Sequence, residues 1–139
     1  MKTQSVLLLS LFFLFGCRIG YKDISNEPQF SPLIGAKYIV KEKMFIYGIN
    51  LPPGYGKEIE AYDVRPISVG GISGPEVITE GILERGEVLV IKSINRSKNL
   101  ISPAIEAIVT LQSYDTQEGI PIFIHLHYLQ SKKYAEKMD

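Results

Sequence analysis

The sequence is poor in cysteine, has no tryptophan and carries no excess charge of either sign. Its 139 residues contain one cysteine, Cys17, and 15 basic residues balance 15 acidic ones. A single thiol excludes an internal disulfide framework, so packing must stabilise the fold. The balanced charge gives no basis for nucleic-acid binding or for a polybasic membrane patch.

Long apolar runs are also absent, apart from one short run near the start of the chain. Residues 6–15 read VLLLSLFFLF, with Ser10 as the only polar member, and they follow a short polar start that contains Lys2. A membrane-spanning helix needs about 20 apolar residues, so this run is too short to span. A short basic start followed by 7–15 apolar residues is typical of a secretory signal peptide.

The apolar run ends in Leu14-Phe15-Gly16-Cys17. This ending resembles the lipobox of bacterial lipoproteins, with an aliphatic residue three positions before the cysteine and a small one directly before it. The resemblance implies a thioether-linked diacylglycerol on Cys17, cleavage between Gly16 and Cys17, and acylation of the new amine. Two or three acyl chains such as palmitate give a lasting membrane anchor, whereas one binds only marginally.

The same resemblance implies a location for the protein in the cell. Arg18 follows the cysteine, where an Asp commonly retains lipoproteins in the inner membrane of Gram-negative bacteria. We therefore expect an outer-membrane lipoprotein that faces the periplasm. Two alternatives are a buried Cys17 that acts as a small core hydrophobe and an anchor segment that is not cleaved.

The domain organisation follows from this reading. Residues 1–16 form the predicted signal peptide, residues 17–32 a polar, proline-containing tether, and residues 33–139 one small domain. Removal of residues 1–16 leaves 123 residues, which suffice for a modest core.

The domain sequence alternates short runs of β-forming residues with loops rich in glycine and proline. Six runs predict strands, of which the first is one strand or two broken near residues 41–43, and the second is an edge or bent strand because of Pro66. The last two runs predict a hairpin across the turn Asp115–Gly119, and the charged tail predicts a helical turn. The runs are 36–47, 57–69, 77–83, 88–94, 105–114 and 120–129.

Five to seven short strands with at most one short helix predict an all-β domain, either a small barrel or a sandwich. The stretch ILERGEVLVIKSI, residues 82–94, resembles the turn and valine-rich strand of bacterial SH3-like domains. This resemblance implies an SH3-like barrel. An OB-like barrel or a small sandwich fits the pattern nearly as well.

His125 and His127 are the only histidines, and on a strand they would share one face. Two imidazoles could bind Zn²⁺ or Cu²⁺ with a third ligand such as Glu106 or Glu118. The alternative is that the two histidines are simply polar residues on a strand surface. This alternative is favoured because no further His or Cys exists to complete a metal site. We predict no metal and no cofactor.

Catalytic motifs are lacking elsewhere. The glycine cluster at residues 70–74 lacks the Gly-Lys-Ser/Thr ending of a phosphate loop, and no serine occurs as Gly-x-Ser-x-Gly. Tyr47, Tyr55 and Tyr62 flank or lie in a Pro/Gly loop, where tyrosines are good partner contacts. The alternative is that they pack beneath the loop.

These observations predict a lipid-anchored envelope protein whose β domain binds a periplasmic protein, a peptidoglycan feature or a secreted toxin, without catalysis. One alternative is a cell-wall-acting or metal-dependent enzyme that uses His125 or His127 with a carboxylate. Another is a toxin-immunity or structural assembly lipoprotein.

Overall fold

A computed structural model of the chain describes residues 21–51, 56–97 and 104–139. Gly16, Cys17 and Tyr55 lie outside these residues, so the predicted cleavage site, lipidation site and one predicted contact tyrosine remain predictions. The described residues include no helix with the length and apolar composition that a bilayer crossing requires.

The described residues contain nine strands, two short 3-10 turns and one short helix. The 3-10 turns are Ser31–Leu33 and Ile67–Val69, and the helix, α1, is Leu126–Gln130. The strands are β1 Tyr21–Asp23, β2 Lys37–Val40, β3 Met44–Ile49, β4 Ala61–Pro66, β5 Val77–Leu83, β6 Val88–Ser97, β7 Ile105–Leu111, β8 Ile122–His125 and β9 Ala135–Lys137.

The strands form one mixed sheet in the order β5-β3-β4-β8-β7-β6-β2-β9, and β1 pairs with β6 beside β2. Among the described strands, the β4–β8 pairing alone is parallel. The predicted all-β class is confirmed. The sheet is open, with β5 and β9 at its two ends, and its nine strands exceed the predicted five to seven.

The core lies on one face of the sheet. In β4, Tyr62 and Val64 are buried in this core, whereas Asp63 and Arg65 alternate onto the opposite face. Leu126 and Leu129 of α1 cover the same core. Most other members come from the inner faces of β2, β3, β6, β7 and β8: Tyr38, Val40, Met44, Ile46, Leu89, Ile91, Ile94, Ala107, Val109, Ile122 and Ile124.

The central strand β6 contains a bulge. Its register against β7 shifts between Ile91 and Ser93, so Lys92 is the extra residue. The shift explains why Leu89, Ile91 and Ile94 are all buried although their spacing is not a strict alternation. An alternating pattern read from the sequence alone does not show this.

The predicted hairpin is confirmed, because β7 and β8 pair antiparallel across the turn at residues 115–119. The break near residues 41–43 is also confirmed, and it divides β2 from β3. β4 was predicted as an edge strand or a bent one, and the edge alternative is wrong because β4 lies inside the sheet between β3 and β8. Pro66 is tolerated there because it is the last residue of the strand.

Two boundaries differ from the predicted ones. Tyr21–Asp23 pairs with β6, and Ile24 and Phe30 are 2% and 9% exposed, so residues 21–32 belong to the folded domain rather than to a tether. At the other end of the chain, the predicted helical turn is instead the strand β9, which pairs with β2. Both departures involve pairing between residues far apart in sequence, for which the local sequence carries no signal.

Candidate functional site

The face of the sheet opposite the core carries a group of polar and charged side chains, which we call the outer-face cluster: Tyr21, Asp63, Arg65, Glu106 and His125. Strand alternation and register bring them together. Glu106 of β7 lies opposite His125 of β8, and Asp63 of β4 lies beside Phe123 of β8. Tyr21 reaches the cluster from β1, where its ring stacks on Phe123 at a centroid distance of 5.3 Å.

One ion pair and one histidine–carboxylate contact organise the cluster. Arg65 Nε donates to Asp63 Oδ2 at 2.7 Å, and the two side chains are only 24% and 18% exposed. His125 Nε2 lies 3.9 Å from Glu106 Oε1, so this pair is longer and gains strength only when the imidazole is protonated. The other Glu106 oxygen, Oε2, is buried and has no hydrogen-bond partner. Glu106 is therefore less well stabilised than Asp63.

The pKa shifts in the cluster follow from this burial. Burial raises the pKa of the Glu106 carboxyl and nearby Asp63 adds to the effect, while a Tyr21 hydrogen bond and Arg65 oppose it. Burial lowers the pKa of His125, and Arg65 acts in the same direction against Asp63. Burial and the Glu106 charge raise the pKa of Tyr21 to about 12. At neutral pH the cluster therefore holds a neutral imidazole and a protonated phenol beside Glu106.

A groove of about 450 Å³ opens beside this cluster. We call it the histidine groove, because His125 and His127 both line it together with Gln130. Its other lining residues include the apolar side chains of Phe30, Ile105 and Leu126. Apolar walls with a few polar groups are typical of ligand sites.

The two histidines of the groove begin a continuous row of rings that extends to Tyr128 and Tyr134. The His125 and His127 rings lie 5.5 Å apart, and the Tyr128 ring lies 4.1 Å from His127 and 5.6 Å from His125. Tyr134 continues the row with an edge contact to Tyr128 at 5.8 Å. Such a row offers both aromatic faces and ring nitrogens to a ligand.

The two histidines do not sit on one strand as predicted. β8 ends at His125, and His127 lies in α1, because the chain buries Leu126 and Leu129 at a helical spacing of three. The two imidazoles are neighbours all the same, since the helix starts directly after the strand.

The two residues predicted as a third metal ligand, Glu106 and Glu118, lie at opposite ends of the hairpin. Glu106 is close to His125, whereas Glu118 lies in the β7–β8 turn, which begins more than five residues, or roughly 17 Å, further along β7. Among the described residues, no three His, Cys, Asp or Glu side chains are grouped so that they could hold a metal ion.

The predicted contact tyrosines serve the fold instead. Tyr47 and Tyr62 are 2% and 6% exposed. The Tyr47 hydroxyl accepts a hydrogen bond from the Ile72 N–H at 3.3 Å, and the Tyr62 hydroxyl accepts one from the Gln117 N–H at 2.9 Å. Both side chains thus fix loops onto the sheet, and the prediction of partner contacts at these two positions is wrong.

Sequence reasoning missed Tyr21, Asp63 and Arg65 as members of a site. The segment AYDVRP of β4 did contain a signal, since two charges alternate with apolar residues inside one strand. Tyr21 gave no comparable signal, because its position depends on pairing with a strand more than seventy residues away.

Comparison with known proteins adds no relative to this picture. No protein-family model, no curated protein and no solved structure matches the chain. The SH3-like resemblance of residues 82–94 therefore stays a prediction. The closed barrel that it implied is not formed by the described strands, because their sheet is open from β5 to β9.

Proposed function

We propose that this chain is a lipid-anchored cell-envelope protein whose β domain binds a macromolecular partner through the histidine groove. The observation that carries the proposal is the single cysteine, Cys17, placed directly after a ten-residue apolar run in a lipobox-like ending. The acyl chains on Cys17 supply the membrane anchor.

The histidine groove supports the binding part of the proposal. It combines apolar walls with two imidazoles and the Gln130 amide, and the Tyr128 ring packs against His127 next to it. Aromatic side chains are enriched at interfaces because they bury a large area at low entropic cost. Tyr47 and Tyr62 are buried, so the groove replaces them as the contact surface.

Labelled palmitate tests the anchor. The wild-type protein should incorporate the label and remain in the membrane fraction, and Cys17→Ala should lose both properties. Incorporation that is absent in the wild type, or membrane binding that survives Cys17→Ala, would overturn the anchor.

Site-specific photocrosslinking tests the groove. A photoreactive residue at His127, which is exposed, should give a discrete adduct in intact cells. The matched control is Thr110, which is exposed on the outer face of β7 away from the groove. No adduct at 127, or the same adduct at both positions, would contradict binding through the groove.

One observation favours a second candidate function, an enzyme that acts on the cell wall. His125 lines the groove, its lowered pKa keeps the imidazole neutral, and Glu106 lies 3.9 Å away. A neutral imidazole can act as a general base. His125→Ala should then abolish hydrolysis of purified peptidoglycan while binding persists, whereas wild-type protein without hydrolysis would remove this candidate.

A further inference from the structure

The chain joins the fold only a short distance after the proposed lipidation site. From Tyr21 onward it is held by β6: Tyr21 pairs with Ser97 and Lys22 with Arg96. The next residue but one, Ile24, is 2% exposed and its N–H donates to the Ile94 carbonyl at 2.8 Å. Tyr21 is therefore fixed to the domain.

Only four residues of chain lead from Cys17 to Tyr21. A fully extended chain spans at most about 3.6 Å per residue, so the link reaches no further than about 14 Å. If Cys17 carries acyl chains, its sulfur lies at the level of the lipid headgroups. Tyr21 then stays within about 14 Å of the bilayer surface, which is too short a distance for the domain to turn freely.

The position of β1 on β6 identifies the part of the domain that the link from Cys17 to Tyr21 keeps close to the membrane. Tyr21 lies opposite Ser97, at one end of β6, whereas Leu89 pairs with Tyr38 near the other end, and Tyr38 pairs with Lys137 of β9. Ser97 lies eight positions after Leu89, which corresponds to about 26 Å along the strand. We call the part around Tyr21, Lys22 and Arg96 the near end, and the part around Lys137 the far end.

The near end carries two cations that face each other. Lys22 and Arg96 are directly opposite in the β1–β6 ladder, Lys22 is exposed, and the Arg96 side chain is 41% exposed. Like charges in this position destabilise a sheet. Within the described part of the chain, Arg96 forms an ion pair with Glu27 at 3.7 Å, and this exposed pair contributes little. An anionic headgroup between the two cations removes the repulsion.

We infer that the near end lies on the bilayer, with Lys22 and Arg96 contacting the phosphates of anionic lipids, and that the far end points away from it. The inference rests on the proposed lipidation of Cys17. It deepens the proposed function, because Ile105 of the histidine groove pairs with Arg96. The groove is then presented close to the membrane surface.

Fluorescence quenching of the full-length lipidated protein in vesicles containing phosphatidylglycerol tests the orientation. Asn26→Cys, next to Glu27 that reaches Arg96 of the near end, is paired with Lys137→Cys at the far end, so that both near-end cations are kept. Each variant supplies the only reactive thiol because lipidation consumes Cys17. A fluorophore at position 26 should be quenched several-fold more strongly by headgroup-nitroxide lipids than one at position 137. Twenty Gly/Ser residues inserted before Tyr21 reach about 25 Å on average and should abolish the difference.

A second measurement tests the headgroup contact, with the fluorophore on Asn26→Cys, an exposed position just after β1. Removing one cation near an anionic surface should lower the ratio of docked to undocked protein about fivefold. Lys22→Gln should show this fall, and the matched Lys137→Gln should not. In vesicles of neutral lipid, the effect of Lys22→Gln should disappear.

The outcomes separate this inference from the proposed function. Equal quenching at positions 26 and 137, or stronger quenching at 137, overturns the orientation when the protein sediments with vesicles and Cys17→Ala abolishes sedimentation. A Lys22→Gln variant that matches Lys137→Gln overturns the headgroup contact. Sedimentation that does not depend on Cys17 overturns the anchor, and the inference fails with it.

Discussion

At the scale of single residues, Glu106 is paired with Asn95 on one neighbouring strand and with His125 on the other, and one of its carboxylate oxygens has no hydrogen-bond partner. Burial raises its pKa, so the folded state binds a proton more tightly there than the unfolded chain does. For such a group the stabilisation is fully present below the unfolded pKa of about 4.5 and is lost as pH rises through the folded pKa.

This predicts a pH-dependent effect of Glu106→Gln, since glutamine mimics the neutral acid. Relative to the wild type, the variant should gain unfolding free energy as the pH rises from 4 to 7. Urea titrations at several pH values measure the difference. Glu118→Gln, an exposed position in the β7–β8 turn, is the control and should show no such trend. A difference for Glu106→Gln that stays constant with pH would show that the carboxyl is well solvated.

The buried tyrosines lead to a second prediction at this scale. The Tyr62 hydroxyl accepts a hydrogen bond from the Gln117 N–H at 2.9 Å, and Tyr62→Phe leaves that donor without its partner. The unfolding free energy should fall by about 1 kcal/mol, the usual net contribution of one such bond. Crosslinking of a partner from position 127 should be unchanged. A loss of crosslinking without a loss of stability would restore Tyr62 as a contact residue.

At the scale of secondary-structure elements, β1 and the segment after it decide whether residues 17–32 are a tether or part of the domain. Ile24 is 2% exposed and belongs to the core, whereas Asn26 is exposed. Truncation of a buried isoleucine usually costs about 2–5 kcal/mol of stability. Ile24→Ala should therefore lower the unfolding free energy by roughly that amount, and Asn26→Ala should change it little. Equal, small effects in denaturant titrations would identify a tether.

The elements that the sequence predicts well are those with a strong local pattern. β7 alternates apolar and polar residues, and the turn at residues 115–119 ends in Gly119, whose φ of 80° suits glycine, so the hairpin is visible in the sequence. The sequence did not predict the end of β8, because the apolar spacing of residues 122–129 fits both the two-residue period of a strand and the 3.6-residue period of a helix. Burial of Leu126 and Leu129, three residues apart, selects the helix over a longer strand.

The candidate site was only partly predictable for the same physical reason. His125, His127 and Glu106 were identified from residue type and spacing. Tyr21 and Arg65 join them through sheet register, which is set by strand pairs far apart in sequence. Local patterns carry no information about such pairing.

At the scale of the whole molecule, the open sheet predicts an uneven distribution of stability. β6 is the longest strand, is paired on both sides and contributes three fully buried side chains, Leu89, Ile91 and Ile94. β9 has three residues and is paired on one side only. The protection of a backbone amide against hydrogen exchange follows the free energy of local opening, which rises with strand pairing and burial.

Amide hydrogen exchange should therefore be slowest in β6 and β7 and markedly faster in β9 and along β5, the other end of the sheet. Ile91→Ala should lower the protection of the central strands together, because their exchange requires opening of the whole core. The exposed Lys92→Ala is the neighbouring control and should leave their protection unchanged. Exchange in β9 as slow as in β6 would mean that something covers or pairs the β9 edge in solution, and the sheet would then not end there.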